Sequence, residues 1–164
     1  MLEINGWKIF FHACFLEQLV ALVSTVQSLK IADPAGYKKK APTKLLAAIN
    51  KVIEERIAVN PLDPMFYQGN TLGTEHKHWF RAKFLQQFRL FFRYSEKNNT
   101  IIIGWVNDFS TLRAYGSKND AYKVFSNMLK AGDPPDDWET LSKEAQMVSQ
   151  TIEPHIMAGL FSNE

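Results

Sequence analysis

The 164-residue chain has a single cysteine, Cys14, and four histidines, His12, His76, His78 and His155. One thiol excludes a disulfide framework and any cysteine-rich zinc site, and it suits a reducing compartment. Neither a glycine-rich phosphate loop nor a Gly-x-Ser-x-Gly elbow is present, which removes the commonest nucleotide-binding and hydrolase signatures. His76 and His78 are spaced like a metal pair on a strand, but no cysteine or third histidine lies near them in sequence. No metal and no cofactor are expected. No segment reads as a membrane span, and Met1 to Ile4 lacks the basic-then-apolar layout of a signal peptide, so a cytoplasmic protein is expected. Repeats and low-complexity tracts are absent as well.

Acidic residues are missing from two windows. After Asp33 there is none as far as Ile53, a stretch holding Lys38, Lys39, Lys40, Lys44 and Lys51. From His76 to Ser95 there is none at all, against Lys77, Arg81, Lys83, Arg89 and Arg93. The formal net charge of +2 therefore conceals a split: residues 1–132 carry 18 Lys and Arg against 10 acids, and residues 133–164 carry one Lys against seven acids. A basic body fits an anionic partner, although a solvated face and a polar tail would give the same count.

What is abundant is aromatic: twelve Phe, five Tyr and four Trp, enough for a well-filled core. Asn5-Gly6 reads as a turn leading into a short strand at Trp7 to Phe10. Phe15, Leu19, Leu22, Val23, Val26 and Leu29 recur at helical spacing. Leu45, Leu46, Ile49, Val52, Ile53 and Ile57 give a second helix, which Pro42 either starts or kinks. Three strands follow, at 78–84, 88–94 and 100–106, joined by short connections that imply an antiparallel meander. Asn119 or Asp120 caps a helix ending at Gly132, and a last helix spans about 137–150. These elements predict one α+β domain over residues 1–150, a sheet with helices on one face, and a flexible tail over 151–164.

Strand alternation puts Arg81 and Lys83 on one face, and Arg89 and Arg93 on the same face of the next strand. Four cations facing a core would be very costly, so this face is expected to look onto solvent or an anionic ligand. Asp108, Arg113 and Tyr115 lie in the loop beyond the third strand, and Tyr122 opens the next helix. Asp108 also fits a plain turn former, and Tyr122 a half-buried helix residue. Cys14, Trp79, Trp105 and Trp138 read as packing residues.

The runs Trp79-Phe80-Arg81-Ala82-Lys83-Phe84, Phe88-Arg89-Leu90-Phe91-Phe92-Arg93-Tyr94-Ser95 and Gly104-Trp105-Val106-Asn107-Asp108 resemble the YhaV toxins, a branch of the RelE-like toxins. So do Thr111-Leu112-Arg113-Ala114-Tyr115-Gly116, Asp120-Ala121-Tyr122 and Gly132 with Pro134-Pro135, as well as the N-terminal Asn5-Gly6-Trp7 and Thr43-Lys44-Leu45-Leu46. The resemblance covers roughly residues 5 to 145. It implies a RelE/ParE-like fold, with an antiparallel sheet, N-terminal helices on one face and a C-terminal helix. It implies an endoribonuclease toxin that cleaves mRNA, typically on the ribosome. The implied partners are a PrlF-type antitoxin with a swapped-hairpin DNA-binding fold and, for the complex, operator DNA. Carried over by position, the catalytic residues are Arg81, Lys83, Arg89, Arg113 and Tyr122, with Tyr115 a rival for Tyr122. Lys77, Arg93, Asp108 and Tyr115 are the RNA-binding candidates.

Such a set fits RNA cleavage without a metal, in which the substrate's 2′-hydroxyl attacks the adjacent phosphate. Arginines can hold the phosphate bidentately and neutralise the added charge. A cation cluster disfavours a further proton on a neighbouring amine, which suits Lys83 as base with Arg81 or Tyr122 assisting. The same scaffold serves ParE-like toxins that poison DNA gyrase without cleaving anything, and a plain nucleic-acid-binding module is a third reading.

Overall fold

The computed structural model describes residues 1–151; the expected tail, 152–164, lies outside the described residues. The chain opens with a hairpin. β1 (Leu2–Ile4) and β2 (Trp7–Phe11) pair antiparallel around Asn5-Gly6, both at positive φ (52° and 80°), as a two-residue turn requires. α1 (Ala13–Ala32) follows, its first turn capped by the His12 side chain, which accepts from the Cys14 N–H. α2 (Ala41–Lys51) carries Pro42 in its first turn and continues into a π turn over Val52–Ile57.

β3 (Phe80–Phe84), β4 (Phe88–Ser95) and β5 (Thr100–Val106) form the expected meander. β5 also pairs with β2, and this contact is parallel, so the five-stranded sheet is mixed, in the order β1-β2-β5-β4-β3. α3 (Ala121–Lys130) and α4 (Trp138–Thr151) complete the described chain.

The α+β content is as expected, but the helices cover both faces. α1, α2 and the π turn bury Phe15, Leu19, Leu45, Ile49 and Ile53 against Ala82, Leu90, Phe92, Ile101 and Ile103. On the opposite face α3 and α4 bury Tyr122, Phe125, Leu129 and Leu141 against Phe91, Ile102 and Trp105. Phe125 stacks on Phe91 at 4.3 Å between ring centres and on Trp105 at 5.6 Å. A β-carbon on Gly104 would lie only 2.6 Å from the Trp79 ring, so glycine lets that indole lie against β5.

The 20 residues of α1, with a mean hydropathy of 1.3, are long and apolar enough to cross a membrane by length and composition alone. In the fold its buried residues are Phe15, Leu16 and Leu19, all in its first two turns. Val20 and Ile31 are exposed further along.

Candidate active site

The predicted solvent-facing row of cations does not exist as such, because α3 lies over it. Arg81 and Arg89, on adjacent strands, are only 9% and 7% exposed. Both point at one atom: the Arg81 Nε donates to the Tyr122 hydroxyl at 3.0 Å, and the Arg89 Nε donates to the same oxygen at 3.2 Å. The Nη1 atoms meet backbone carbonyls. Arg81 Nη1 donates to the Met65 carbonyl at 2.8 Å, and Arg89 Nη1 to those of Gln86 and Phe88 at 2.9 and 2.8 Å. Burial of these cations is tolerable because each is hydrogen-bonded at several points.

Tyr122 reaches them because Asp120 starts α3. The Asp120 carboxylate accepts the Tyr122 N–H at 3.1 Å and the Ala114 N–H at 2.7 Å, and it pairs with Arg113 Nη1 at 2.5 Å. Arg113 is thereby held with its guanidinium 4.8 Å from the centre of the Tyr122 ring. The β3–β4 hairpin is tied to Arg89 and Arg113 by hydrogen bonds. Leu85 and Gln86 both adopt positive φ (43° and 63°), a strained choice for residues with side chains. Hydrogen bonds hold the strain in place: the Gln87 carbonyl accepts from the Arg113 N–H at 2.9 Å and from Asn107 Nδ2 at 2.9 Å. Asn107, 1% exposed, also takes the Arg89 N–H on its Oδ1 at 2.7 Å.

Above this centre opens a groove of about 590 Å³, lined by Arg113, Tyr115 and Tyr122 and by Lys118, Lys123 and Lys130. The three lysines were not singled out in the sequence. Lys123 and Lys130 sit seven residues apart on α3, a spacing that could have marked them as one face. Asn107 and Asp120 carried no signal beyond their turn and cap positions.

The other candidates separate. Lys83 is exposed and lies opposite Arg89 in the strand register, with its backbone carbonyl accepting from Arg56 Nη1 at 2.7 Å. Tyr115 is 95% exposed, with Arg113 5.6 Å from its ring centre. Asp108 is tied up as a turn former, accepting from the N–H and hydroxyl of Ser110 and from the Thr111 hydroxyl. Burial works to raise its pKa, but those hydrogen bonds outweigh it and hold the carboxyl below the ordinary range. Lys77 stands beside a second hollow of about 410 Å³, next to Tyr67, Phe80 and Tyr94.

Arg93 is not a free surface cation. It lies at the far end of β4, where its guanidinium sits 5.7 Å from the Trp79 ring and 5.2 Å from the Trp138 ring, donating to the Asp136 carbonyl at 2.8 Å. The fold also gives the His76–His78 pair the third neighbour that the local sequence lacks. Asp136, from the α3–α4 connection, meets His78 Nε2 at 2.6 Å and His76 Nδ1 at 3.3 Å. His12, isolated in sequence, contacts Glu144 of α4 at 2.9 Å.

The mixed sheet, flanked by helices and carrying an arginine–tyrosine centre at its β3–β4 end, has the α+β fold of a RelE-like toxin. Within that class the chain belongs to the YhaV family: residues 9–146 match the family model described as a toxin with endonuclease activity, of toxin-antitoxin system. Its relatives include Ribonuclease toxin YhaV of Escherichia coli strain K12 and Toxin YhaV of Escherichia coli O157:H7. Each is 56% identical over 146 residues, covering 88% of this chain and 95% of the relative. Toxin YhaV of Escherichia coli O6:H1 is 55% identical over the same span. No solved structure matches the chain. The protein is therefore an endonuclease toxin with an antitoxin partner. That description sets aside the gyrase-poison and plain-binding readings.

Proposed function

We propose that the centre formed by Arg81, Arg89, Arg113 and Tyr122, together with the exposed Lys83 across the strand pair, cleaves mRNA without a metal, through attack of the 2′-hydroxyl on the adjacent phosphate. The observation that carries this reading is the convergence of two buried arginines on the Tyr122 hydroxyl beneath a lysine-lined groove. With both Nε–H groups donating to it, the phenol oxygen is occupied as an acceptor, and its own proton is free to be given away. Tyr122 can thus protonate the leaving 5′-oxygen. Arg113, half-buried at the groove wall, is positioned to hold the phosphate and neutralise charge as the phosphorane forms. Lys83, exposed across the strand pair from Arg89, is the base for the 2′-hydroxyl.

The groove lysines supply the sequence-independent attraction for the RNA backbone. The open groove leaves orientation of the substrate largely to an external template, which supports action on ribosome-bound mRNA in the cytoplasm. The antitoxin partner in this reading is PrlF-like, and its complex with the toxin binds operator DNA. The exposed apolar part of α1 is the surface offered to it.

The test is cleavage of a defined mRNA, alone and on programmed ribosomes, with the 5′ ends mapped. Replacing the nucleotide 5′ to the cut by its 2′-deoxy form should abolish cleavage there. Cutting of the deoxy substrate at an undiminished rate would sink the mechanism.

A further inference from the structure

His76 is buried, 5% exposed, and neither of its ring nitrogens has a hydrogen-bond partner among the described residues. A buried polar group without a partner costs free energy, and each instance calls for an explanation. Its Nδ1 lies 3.3 Å from Asp136 Oδ2, out of line for a hydrogen bond, while His78 Nε2 meets Asp136 Oδ1 at 2.6 Å. One donor atom from each of the three residues lies within 4.8 Å of the others. Around a tetrahedral ion with bonds of about 2.0–2.2 Å, donors stand about 3.4 Å apart. We propose that His76, His78 and Asp136 bind a divalent cation of the zinc class, leaving a fourth position for water.

The surroundings of the three residues are organised as metal ligands require. Trp79 Nε1 donates to Asp136 Oδ1 at 2.8 Å, and Arg93 fixes the Asp136 backbone through its carbonyl. Buried Gln68 fixes the other side, its Nε2 donating to the His76 carbonyl at 3.0 Å. Glu75 lies 3.7 Å from His76 Nε2, the nitrogen facing away from Asp136. A carboxylate there favours the tautomer that presents Nδ1 to an ion. His78 and Asp136 are each about one-third exposed, so an ion has a route in. The ion would staple the α3–α4 connection to the lead-in of β3, at the opposite end of the β3–β4 pair from Lys83 and Arg89. It takes no part in the proposed cleavage.

The experiment uses the full chain, free of any tag and stripped with a chelator. Zn²⁺ is titrated while heat, tryptophan emission and melting temperature are followed. One equivalent should bind, raise the melting temperature and perturb the emission, because Trp79 touches the ligating carboxylate. His78→Asn, at a partly exposed position that should fold, is expected to weaken binding at least tenfold, and Asp136→Asn likewise. Cys14→Ser should leave the affinity unchanged, which separates this site from the group formed by His12, Cys14 and Asp133. Absence of saturable binding to the unaltered chain overturns the proposal. So does a site that survives His78→Asn at full affinity, or one lost with Cys14→Ser.

Discussion

Asp120 and Arg113 meet at 2.5 Å, and the same carboxylate caps the helix that carries Tyr122. One buried acid therefore sets both the direction of the groove arginine and the start of α3. Asp120→Ala should destabilise the fold by roughly 1–3 kcal/mol, combining a lost cap with a lost charge partner. Asp120→Asn retains a capping oxygen but gives up the charge, so it should recover part of the stability. Arg113 would then be less firmly held, and cleavage should still fall by at least tenfold. Chemical denaturation and single-turnover cleavage, run on both variants, check the two halves separately.

Arg89→Ala and Arg113→Ala should part company in stability. Arg89 is buried, and its loss strands the carbonyls of Gln86 and Phe88 and half the coordination of the Tyr122 hydroxyl. A cost of about 2–4 kcal/mol is expected. The solvent- or ligand-facing position expected from strand alternation does not apply to it, since Arg89 is buried. Arg113 is half-buried at the groove wall, so Arg113→Ala should cost less, about 1–2 kcal/mol, and should lower cleavage by roughly a hundred- to thousand-fold. Melting curves paired with cleavage rates distinguish a folding defect from a catalytic one.

Tyr122→Phe is the sharper probe of the centre. The ring still packs edge-on against Phe91, 5.5 Å between centres, but the oxygen shared by Arg81 and Arg89 is gone. Stability should fall by roughly 1–3 kcal/mol and the cleavage rate by about a hundred- to ten-thousand-fold. Tyr115→Phe, with its ring almost fully exposed, should change stability by no more than about 0.5 kcal/mol. Equal rate losses in the two variants would return the acid role to an open contest between them.

Cys14 should be unreactive in the native protein. Burial, followed by its hydrogen bond to Asp133 at 3.2 Å, pushes the thiol up to about 12. Near pH 8 the thiolate fraction should be on the order of a thousandfold below that of an ordinary cysteine. Alkylation by iodoacetamide should therefore be slow until the chain unfolds, which makes labelling of this residue a reporter of global opening. Rapid modification of the native form would contradict the burial.

The strands of the meander are legible because aromatic and β-branched residues dominate them; β5 spans Thr100–Val106, as its composition indicates. The face assignment of Arg81 and Arg89 is where the reading failed. It rested on the cost of burying unsatisfied charge, but in the fold both guanidiniums are hydrogen-bonded, by Tyr122 and by backbone carbonyls. Phe91, two residues from both Arg89 and Arg93, was the available sign that this face is apolar as well as cationic. The contact of Asp136 with the two histidines was not legible, because nearly sixty residues separate the partners and no local pattern records it. β1 could have been read, since Asn-Gly is a strong hairpin signal and Leu2–Ile4 flanks it.

The parallel pairing of β2 with β5 brings Lys8 beside Thr100, across about ninety residues of chain. During synthesis the first hairpin must wait without its neighbour until β5 has left the ribosome, and the tyrosine of α3 emerges later still. Long-range pairings of this kind form slowly. In chain order the arginines precede the helix that gathers them, so the groove is complete only when nearly all of the described chain has been made. An endonuclease toxin would in this way be assembled after its own message has been read.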